Sequence, residues 1–170
     1  TVNFGSTNYP VTRNSILISV VGGTDYDIAW QALVKAGTGC SFVGNTEVTV
    51  YDNDAFAIDP PDYKIKFLRP NTVATKFKIE VDDIAAMSYQ DEQDIKNAIL
   101  NALKTGKTRA RVAQNIRAVQ YVTPVVNASD LLVVSLQVSI DNGTTWLDQA
   151  QLGVDQFPVT TSFDISVVQA

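Results

Sequence analysis

The sequence predicts an α+β protein made of two small modules, residues 1–73 and 74–170. Three observations support this: apolar and polar residues alternate in several short runs, two helical stripes each follow a capping residue, and the pattern restarts after Pro70. The 170 residues suit one ordinary domain or two small ones, and a hydrophobic fraction of 45% is enough for a core. The order of elements is β-α-β-β in the first module and β-α-α-β-β-β in the second. In the second module we expect the helices to pack on one face of an antiparallel sheet, for which a ferredoxin-like packing is one possibility.

The first module begins with a strand and a capped helix. Residues 15–21 are apolar on both faces, which predicts a well-buried strand that ends at a pair of glycines. Thr24 and Asp27 have the spacing of a capping box, so a helix should follow. Gly37 stands where a left-handed C-cap is expected.

A long-looped hairpin is predicted for residues 44–70. Residues 47–51 and 63–67 alternate with a period of two, and the prolines and aspartates between them cannot continue a ladder. Val48, Val50, Ile65 and Phe67 should therefore face one core. The hairpin opens with Gly44, Asn45 and Thr46 and closes with Arg69 and Pro70.

The second module begins with another strand and the clearest helix of the chain. Residues 74–81 alternate cleanly, which predicts a strand covered on one face. Ser88 and Asp91 form a second capping box, and the apolar stripe that follows ends at Gly106. Residues 109–117 should form a short helix buried through Val112, Ala113 and Ile116.

The β-rich segment 118–126 is predicted to be an edge strand, because Pro124 cannot donate to a ladder on both sides. An apolar free edge is normally covered by another chain. The segment is therefore the candidate assembly edge, with Tyr121, Val122, Val125 and Val126.

The remaining segments predict an antiparallel meander. Residues 131–140 form a long strand whose Leu132, Val134, Leu136, Val138 and Ile140 should share one face. An Asp-Asn-Gly turn at 141–143 returns the chain through residues 144–147, and residues 159–168 form the last strand.

Composition excludes several classes of function. A net charge of -5 and a pI near 4.6 disfavour nucleic-acid and anionic-membrane partners, and no apolar run approaches the roughly 20 residues that span a bilayer. Basic residues after the second helix fit a helix C-terminus better than a nucleic-acid patch. The chain has no histidine, and its single Cys40 therefore lacks the usual base. We therefore predict no enzyme activity, no metal and no cofactor.

The residues Ser139, Asp141, Gly143, Thr145 and Trp146 resemble the Asp-box, a hairpin motif of sialidases and some glycan-binding proteins. In this motif the serine and carboxylate bond turn amides while the tryptophan packs, so it stabilises folding and is not itself a site. The motif occurs once here, and a well-made hairpin is the favoured interpretation. A carbohydrate-binding module, or a tail protein that contacts host glycans, is the alternative function.

The order of landmarks from Ser15 to Pro70 resembles the baseplate J-like family of contractile phage tails. In that family a Gly-Gly pair and a capped helix precede a Gly-Asn/Asp-Thr-x-Val-x-Val-x-Asp strand and an aromatic strand that closes with Arg-Pro. The corresponding pieces here are Gly22-Gly23-Thr24, Gly44-Asn45-Thr46 with the strand to Asp52, Tyr63 to Phe67, and Arg69-Pro70. This sequence is shorter than usual for the family and lacks the family's short Gly-containing turn between the two strands.

The resemblance implies a structural role without catalytic residues. Copies would join neighbouring baseplate proteins into a wedge or ring around the tail hub, as part of a phage tail or a related injection machine. The expected partners are other baseplate and tail proteins and further copies of this chain. The implied location is the tail baseplate of the virion, with assembly in the host cytoplasm.

Overall fold

The computed structural model describes residues 2, 3, 8, 9, 11–36, 39–52 and 58–170, and within them the protein is α+β. The described helices are α1 (Asp25–Ala36), α2 (Tyr89–Lys104) and α3 (Val119–Val126). The described strands are β1 (Val2–Asn3), β2 (Asn8–Tyr9), β3 (Ser15–Leu17), β4 (Ser41–Val43), β5 (Thr46–Tyr51), β6 (Asp62–Phe67), β7 (Asn71–Ala74), β8 (Lys76–Val81), β9 (Asn115–Arg117), β10 (Val133–Ser139), β11 (Gln149–Gln151), β12 (Gln156–Val159) and β13 (Ile165–Gln169).

The chain divides into two compact units. Unit 1 contains residues 1–71 together with 153–155, and unit 2 contains residues 72–152 and 156–170. The first change of unit falls two residues before the 73/74 boundary expected from the sequence. The sequence pattern did not indicate that the chain returns to unit 1 at 153–155, where the carbonyl of Asp155 accepts a hydrogen bond from the amide of Asn71 at 2.8 Å.

The predicted hairpin forms the centre of unit 1. β5 and β6 pair antiparallel, with Val48 opposite Ile65. Val50, Ile65 and Phe67 are buried with Ala29 and Ala32 of α1, and Val48 packs against this cluster. The predicted core of this module is therefore confirmed; residues 53–57 of the intervening loop lie outside the described residues.

The strand and helix that precede the hairpin follow the prediction in part. Thr24 and Asp27 cap α1, with the amide of Asp27 donating to the Thr24 hydroxyl at 3.2 Å. The expected C-cap, Gly37, lies outside the described residues. β3 ends at Leu17, where residues 15–21 were predicted to form one strand, and its side chains are only partly buried. The chain beyond β3 still pairs, because Ile18 and Val20 each bond the main chain of Leu68.

Unit 2 is built on a three-stranded sheet in the order β10-β8-β13. β10 runs antiparallel to β8, whereas β13 runs parallel to it. The sheet is therefore mixed, and the expectation of an antiparallel sheet was wrong for its last strand. The reason is that the chain crosses over before β13, through β12 and a short 3-10 turn at Ser162–Asp164, rather than returning directly as a hairpin would.

The predicted second helix is confirmed as α2. The hydroxyl of Ser88 accepts from the amide of Asp91 at 3.2 Å, and the Asp91 carboxylate accepts from the amide of Ser88 at 2.8 Å. This is the reciprocal capping box that the sequence indicated. The buried face of α2 contributes Ile95, Ile99 and Leu103 to the core of unit 2.

The predicted edge strand at 118–126 was wrong, since these residues form helix α3. Tyr121 and Val125 are fully buried, and the Tyr121 ring meets that of Phe77 edge-on with centroids 5.0 Å apart. The spacing of four between Tyr121 and Val125 puts both on one helical face, which outweighs the β preference of the valines. Pro124 lies inside α3, where it lacks the amide hydrogen that a residue of a helix interior normally donates.

The predicted short helix at 109–117 was also wrong. A single 3-10 turn covers Gly106–Thr108, and β9 follows at Asn115–Arg117. β9 pairs with β11, with Ile116 opposite Ala150 and both buried. Tertiary pairing with a strand more than thirty residues away decides the conformation here, and local spacing does not reveal it.

A β-bulge changes the faces of β10. The pairing with β8 shifts between Val133 and Ser135, so one extra residue separates the two halves of the strand. Leu136 and Val138 point into the core as predicted, whereas Leu132 and Val134 are exposed. The expectation that all five alternating residues share one face was therefore wrong, because a one-residue shift exchanges the faces of a strand.

The turn after β10 lies where it was predicted. Asn142 and Gly143 adopt φ angles of 63° and 90°, as a tight Asn-Gly turn requires. The returning segment pairs with β10 through one bridge between Val138 and Leu147. The prediction of one last strand over residues 159–168 was wrong in part: β12 ends at Val159, a 3-10 turn covers Ser162–Asp164, and only the end of the predicted range belongs to β13.

Candidate functional site

The side chain of Arg69 connects the end of the hairpin to residues 22–25, a segment far from it in sequence. Its Nε and Nη2 atoms lie 3.0 and 2.6 Å from Oδ1 of Asp25, the first residue of α1. Nη1 donates to the carbonyl of Gly22 at 2.7 Å, and Nη2 donates to that of Gly23 at 2.9 Å. The guanidinium carbon lies 5.3 Å from the centroid of the Phe67 ring. The planar cation thus holds the loop before α1 against the end of β6.

The main chain of Arg69 is fixed by Asn45. The Asn45 amide oxygen accepts from the Arg69 amide at 2.8 Å, and its Nδ2 donates to the Arg69 carbonyl at 2.9 Å. Gly44 lies directly against Phe67, because a Cβ at position 44 would be 2.1 Å from the Phe67 carbonyl carbon. We call this arrangement of Gly44, Asn45, Arg69 and Asp25 the Arg69 latch.

The latch brings together most of the residues that carry the resemblance to baseplate proteins. Thr46 donates to Asn45 at 3.2 Å and begins β5, while Pro70 is partly buried directly after Arg69. Every polar group of the latch named above is satisfied by another part of the protein. Their arrangement supports a structural role, with the latch fixing the loop, the helix and the hairpin in place.

The Asp-box residues form a tightly bonded turn in unit 2. The Ser139 hydroxyl donates to Asp141 Oδ1 at 2.6 Å and accepts from the amide of Gly143 at 2.9 Å. The amide of Thr145 donates to the same Asp141 oxygen at 2.9 Å. Because these bonds favour the carboxylate form, first of all the one from Ser139, the pKa of Asp141 is held well below its usual range.

Trp146 is partly buried beside this turn. The Nζ atom of Lys78 lies over its ring, 5.6 Å from the centroid. A Cβ at position 143 would be in ordinary contact with the same ring at 3.5 Å, so the ring lies close to the turn. This arrangement supports the hairpin interpretation of Trp146, because Lys78 and the turn approach the ring that a sugar would need to stack on.

Helix α3 and strand β10 border an apolar groove in unit 2. The groove has a volume of about 470 Å³. Apolar side chains of α3 and β10 line it together with polar and charged side chains, which include Arg117 and Asp148. The lining residues are Arg117, Ala118, Val119, Val122, Val133, Val134, Ser135, Leu136, Asp148 and Gln149.

Four large apolar side chains of α3 and of the segment at β10 are exposed, and two of them, Val119 and Val134, line this groove. Val119 is 72% exposed, Leu132 65%, Val134 55% and Val126 46%. Val119, Val122 and Val126 lie on one face of α3 at helical spacing, opposite the buried Tyr121. We call these four residues and the groove the α3–β10 surface. Contiguous apolar surface of this kind is typical of an interaction site.

The candidate assembly edge is thus divided between core and surface. Tyr121 and Val125 belong to the core, whereas Val122 and Val126 belong to the α3–β10 surface. The sequence prediction missed Val119, Leu132 and Val134. The helical spacing of three and four between Val119, Val122 and Val126 is a signal that could have revealed the exposed face.

A second apolar groove lies in unit 1, between α1 and the strand that precedes it. Its volume is about 560 Å³, and Ile16, Ile18 and Val20 form one wall. Ile28 and Ala32 of α1 form the other, with Asp27, Gln31, Lys35 and Ala36 completing the lining. The residues that were expected to be a buried strand therefore contribute to an open groove.

The titratable groups with shifted pKa values have structural partners. Burial raises the pKa of Tyr121 to about 12, and its hydroxyl donates to the Thr108 carbonyl at 3.2 Å. Hydrogen bonds from Ser88 lower the pKa of Asp91, and a hydrogen bond from Ser135 followed by one from Lys78 lowers that of Glu80. Cys40 is partly buried. Within the described ranges, no three His, Cys, Asp or Glu residues are grouped closely enough to hold a metal ion.

Comparison with known proteins gives no relative: no family model matches the chain, and no curated protein matches it either. Among the described helices, none has both the length and the apolar character needed to cross a membrane.

Proposed function

We propose that this chain is a non-catalytic structural component of the baseplate of a contractile phage tail or related injection machine. It would act by joining neighbouring tail proteins, in the virion after assembly in the host cytoplasm. The single observation that carries the proposal is the Arg69 latch. Residues of the family pattern that are far apart in sequence meet in one hydrogen-bonded arrangement: Arg69 bonds Gly22, 47 positions away, and Asn45, 24 positions away.

The latch supports the proposal because it explains why these residue types occur in this order. The Arg69 guanidinium donates to the nearby glycine carbonyls and to a carboxylate, and the Asn45 side chain bonds the Arg69 main chain. Glycine is required at position 44 because a Cβ there would collide with Phe67. A scattered set of chance matches has no reason to converge in this way. This convergence in unit 1 supports the proposed likeness.

The two apolar grooves supply surfaces suited to assembly. Each is lined mainly by aliphatic side chains with a few polar residues at its rim, as protein interfaces are. The chain has no histidine for acid–base or metal chemistry. These features favour binding to other proteins over catalysis.

We also propose that unit 2 has helices on one face of its sheet, in a ferredoxin-like packing. The support is one core cluster that contains buried residues of α2 and α3 together with those of β8, β10 and β13. Phe77, Ile79 and Val81 alternate along β8 and are all buried in this cluster. A spacing of two along a strand places them on the same face of the sheet.

The carbohydrate-binding alternative has less support, because Lys78 and the turn approach the Trp146 ring. A glycan array with the wild-type protein tests it directly. Saturable binding that is lost in Trp146→Ala, with the melting temperature unchanged, would favour this alternative over the assembly proposal.

The assembly proposal is tested by co-expressing the tagged chain with the products of its flanking genes. We expect capture of at least one tail or baseplate protein. Ala36→Arg fills the unit 1 groove, and the double variant Val119→Lys with Val134→Lys places charges on the α3–β10 surface. The variant that loses the captured protein shows which of the two surfaces binds it. Val34→Lys is the matched control, because Val34 is 59% exposed on α1 and lines neither groove. If the wild-type chain captures no tail protein and the neighbouring genes encode none, the proposal is wrong.

A further inference from the structure

We propose that the α3–β10 surface pairs with the same surface of a second copy of this chain, around a two-fold axis. The inference rests on the proposed assembly function and names the partner of one surface. In such an interface, if residue i of one copy contacts residue j of the other, then residue j of the first copy also contacts residue i of the second. The surface must therefore be complementary to itself in both shape and charge.

Shape complementarity follows from the side chains around the groove. The groove has a volume of about 470 Å³, six of its ten lining residues are apolar, and two of these, Val119 and Val134, are also exposed to solvent. Projecting apolar side chains and an apolar recess therefore occur on the same surface. Two copies related by a two-fold axis can each insert their side chains into the recess of the other.

Charge complementarity follows from Arg117 and Asp148 at the rim. Both residues line the groove and both are exposed, yet neither makes an ion pair with any residue that the structure describes. They lie close together in the fold, since Arg117 pairs with Gln149 in the β9–β11 ladder. A two-fold axis would bring Arg117 of each copy towards Asp148 of the other, which forms two equivalent attractive pairs. The surface is locally neutral although the chain carries a net charge of -5.

The local structure of β10 exposes an apolar side chain at this surface, apart from the buried core. The bulge in β10 turns Val134 outwards, while Leu136 and Val138 remain inside. Bulges commonly re-aim a side chain next to a functional surface. Helix α3 also exposes Val119 and Val126, beside the polar Gln120 and Thr123.

A charge exchange tests the two-fold arrangement specifically. Arg117→Asp alone would place two carboxylates opposite each other at both rim pairs, and Asp148→Arg alone would place two guanidinium groups opposite each other there. We expect each single variant to weaken the dimer by about tenfold or more. An equimolar mixture of the two variants should form a heterodimer, since both cross pairs then become attractive. Sedimentation velocity and native mass spectrometry measure these outcomes, and thermal melts confirm that the variants are folded.

The apolar contact has its own test. Val119→Lys with Val134→Lys should abolish the dimer, whereas Val34→Lys on α1 should leave it unchanged. The proposal is overturned if the wild-type protein is monomeric at high concentration, if the single charge variants dimerise as well as wild type, or if the mixture fails to form a heterodimer. If the wild-type chain is monomeric and captures a tail protein, and the double-lysine variant loses that protein, then the surface binds a different partner. This outcome overturns the proposal as well.

The outcomes for this inference and for the proposed function are distinguishable. A dimer that follows the charge exchange, together with no capture of tail proteins, would support the two-fold surface and contradict the baseplate role. Capture of a tail protein by a chain that never dimerises would support the baseplate role and contradict the two-fold surface.

Discussion

The Nη2 atom of Arg69 lies 2.6 Å from Oδ1 of Asp25, so the residue that follows the hairpin is bound to the first residue of α1. No other side chain readily replaces this guanidinium, because it also donates to the carbonyls of Gly22 and Gly23. Arginine can serve all these acceptors since its donors are arranged in a planar fork.

Replacing Arg69 should therefore destabilise unit 1 in a graded way. Arg69→Ala should lower the free energy of unfolding by about 2–3 kcal/mol, because several charge-assisted hydrogen bonds are lost. Arg69→Lys should recover only part of this loss. Asp25→Asn should cost less than about 1 kcal/mol, since Asp25 is more than half exposed. Urea unfolding of the three variants measures the order; an equal effect of Asp25→Asn and Arg69→Ala would show that the ion pair alone stabilises the latch.

Gly44→Ala should be among the most damaging small substitutions in the hairpin. The new methyl group would lie 2.1 Å from the Phe67 carbonyl carbon and oxygen, so the backbone of β5 or β6 must move. We expect a loss of roughly 2–4 kcal/mol, in the range of steric changes in a packed interior. Thr46→Ala is the neighbouring control and should cost below about 1 kcal/mol, because its hydroxyl only bonds Asn45. Comparable midpoints in urea for the two variants would contradict the close approach.

Asp141 should contribute stability that is lost on acidification. The hydrogen bond from Ser139 and those from Thr145 hold the pKa of Asp141 below its ordinary value of 3.8 in the folded protein. The contribution is therefore fully present above pH 3.8 and is lost as the pH falls through the lower folded pKa. Asp141→Asn should lower the melting temperature at pH 7 and reduce the further loss between about pH 4 and pH 2. Thermal melts across this range test the prediction. If the melting temperatures of wild type and Asp141→Asn fall in parallel as the pH is lowered, Asp141 does not contribute.

Trp146→Ala should destabilise the turn less than loss of a buried aromatic would. Trp146 is only partly buried, so we expect about 1–3 kcal/mol in place of the roughly 3–5 kcal/mol typical of a fully buried ring. Trp146→Phe should recover part of the loss, because an aromatic face remains beside Lys78. Chemical unfolding provides the values. If both variants unfold at the same denaturant concentration as wild type, the ring does not stabilise the turn.

Two valines of α3 should respond in opposite ways to the same substitution. Val125→Lys should unfold unit 2, because Val125 is fully buried in the main core and a buried unpaired ammonium is very costly. Val119→Lys should leave the fold intact, since Val119 is 72% exposed. Far-ultraviolet circular dichroism and thermal melts compare the two. A folded Val125→Lys protein would mean that α3 is not anchored through this face.

The sequence predicts best those elements whose signal is local. The two capping boxes, Thr24 with Asp27 and Ser88 with Asp91, mark helices that begin where expected, because a capping residue bonds amides only three positions away. β5 and β8 alternate with a period of two, and their inward residues are the predicted ones. The Asn-Gly turn after β10 also depends only on its own backbone angles.

The prediction fails where tertiary contacts decide between alternatives. Residues 119–126 are short and almost entirely apolar, and a short apolar run does not distinguish a buried helix from a strand. The bulge at Val133 and Ser135 depends on pairing with β8, so no feature of β10 alone predicts that Val134 is exposed. For the same reason the sequence identified Gly44, Asn45 and Arg69 of the latch, but neither their partner Asp25 nor the fact that these residues meet.

The return of the chain to unit 1 at residues 153–155 affects the order of events during synthesis. An N-terminal unit normally folds as soon as it leaves the ribosome. Here unit 1 is incomplete until most of unit 2 has been translated, because the amide of Asn71 binds the carbonyl of Asp155. A nascent chain stalled before residue 153 should therefore expose unit 1 to proteases at its last strand, and release of the stall should protect it. The cores of the two units are separate clusters, so this late contact is the part of unit 1 that synthesis completes last.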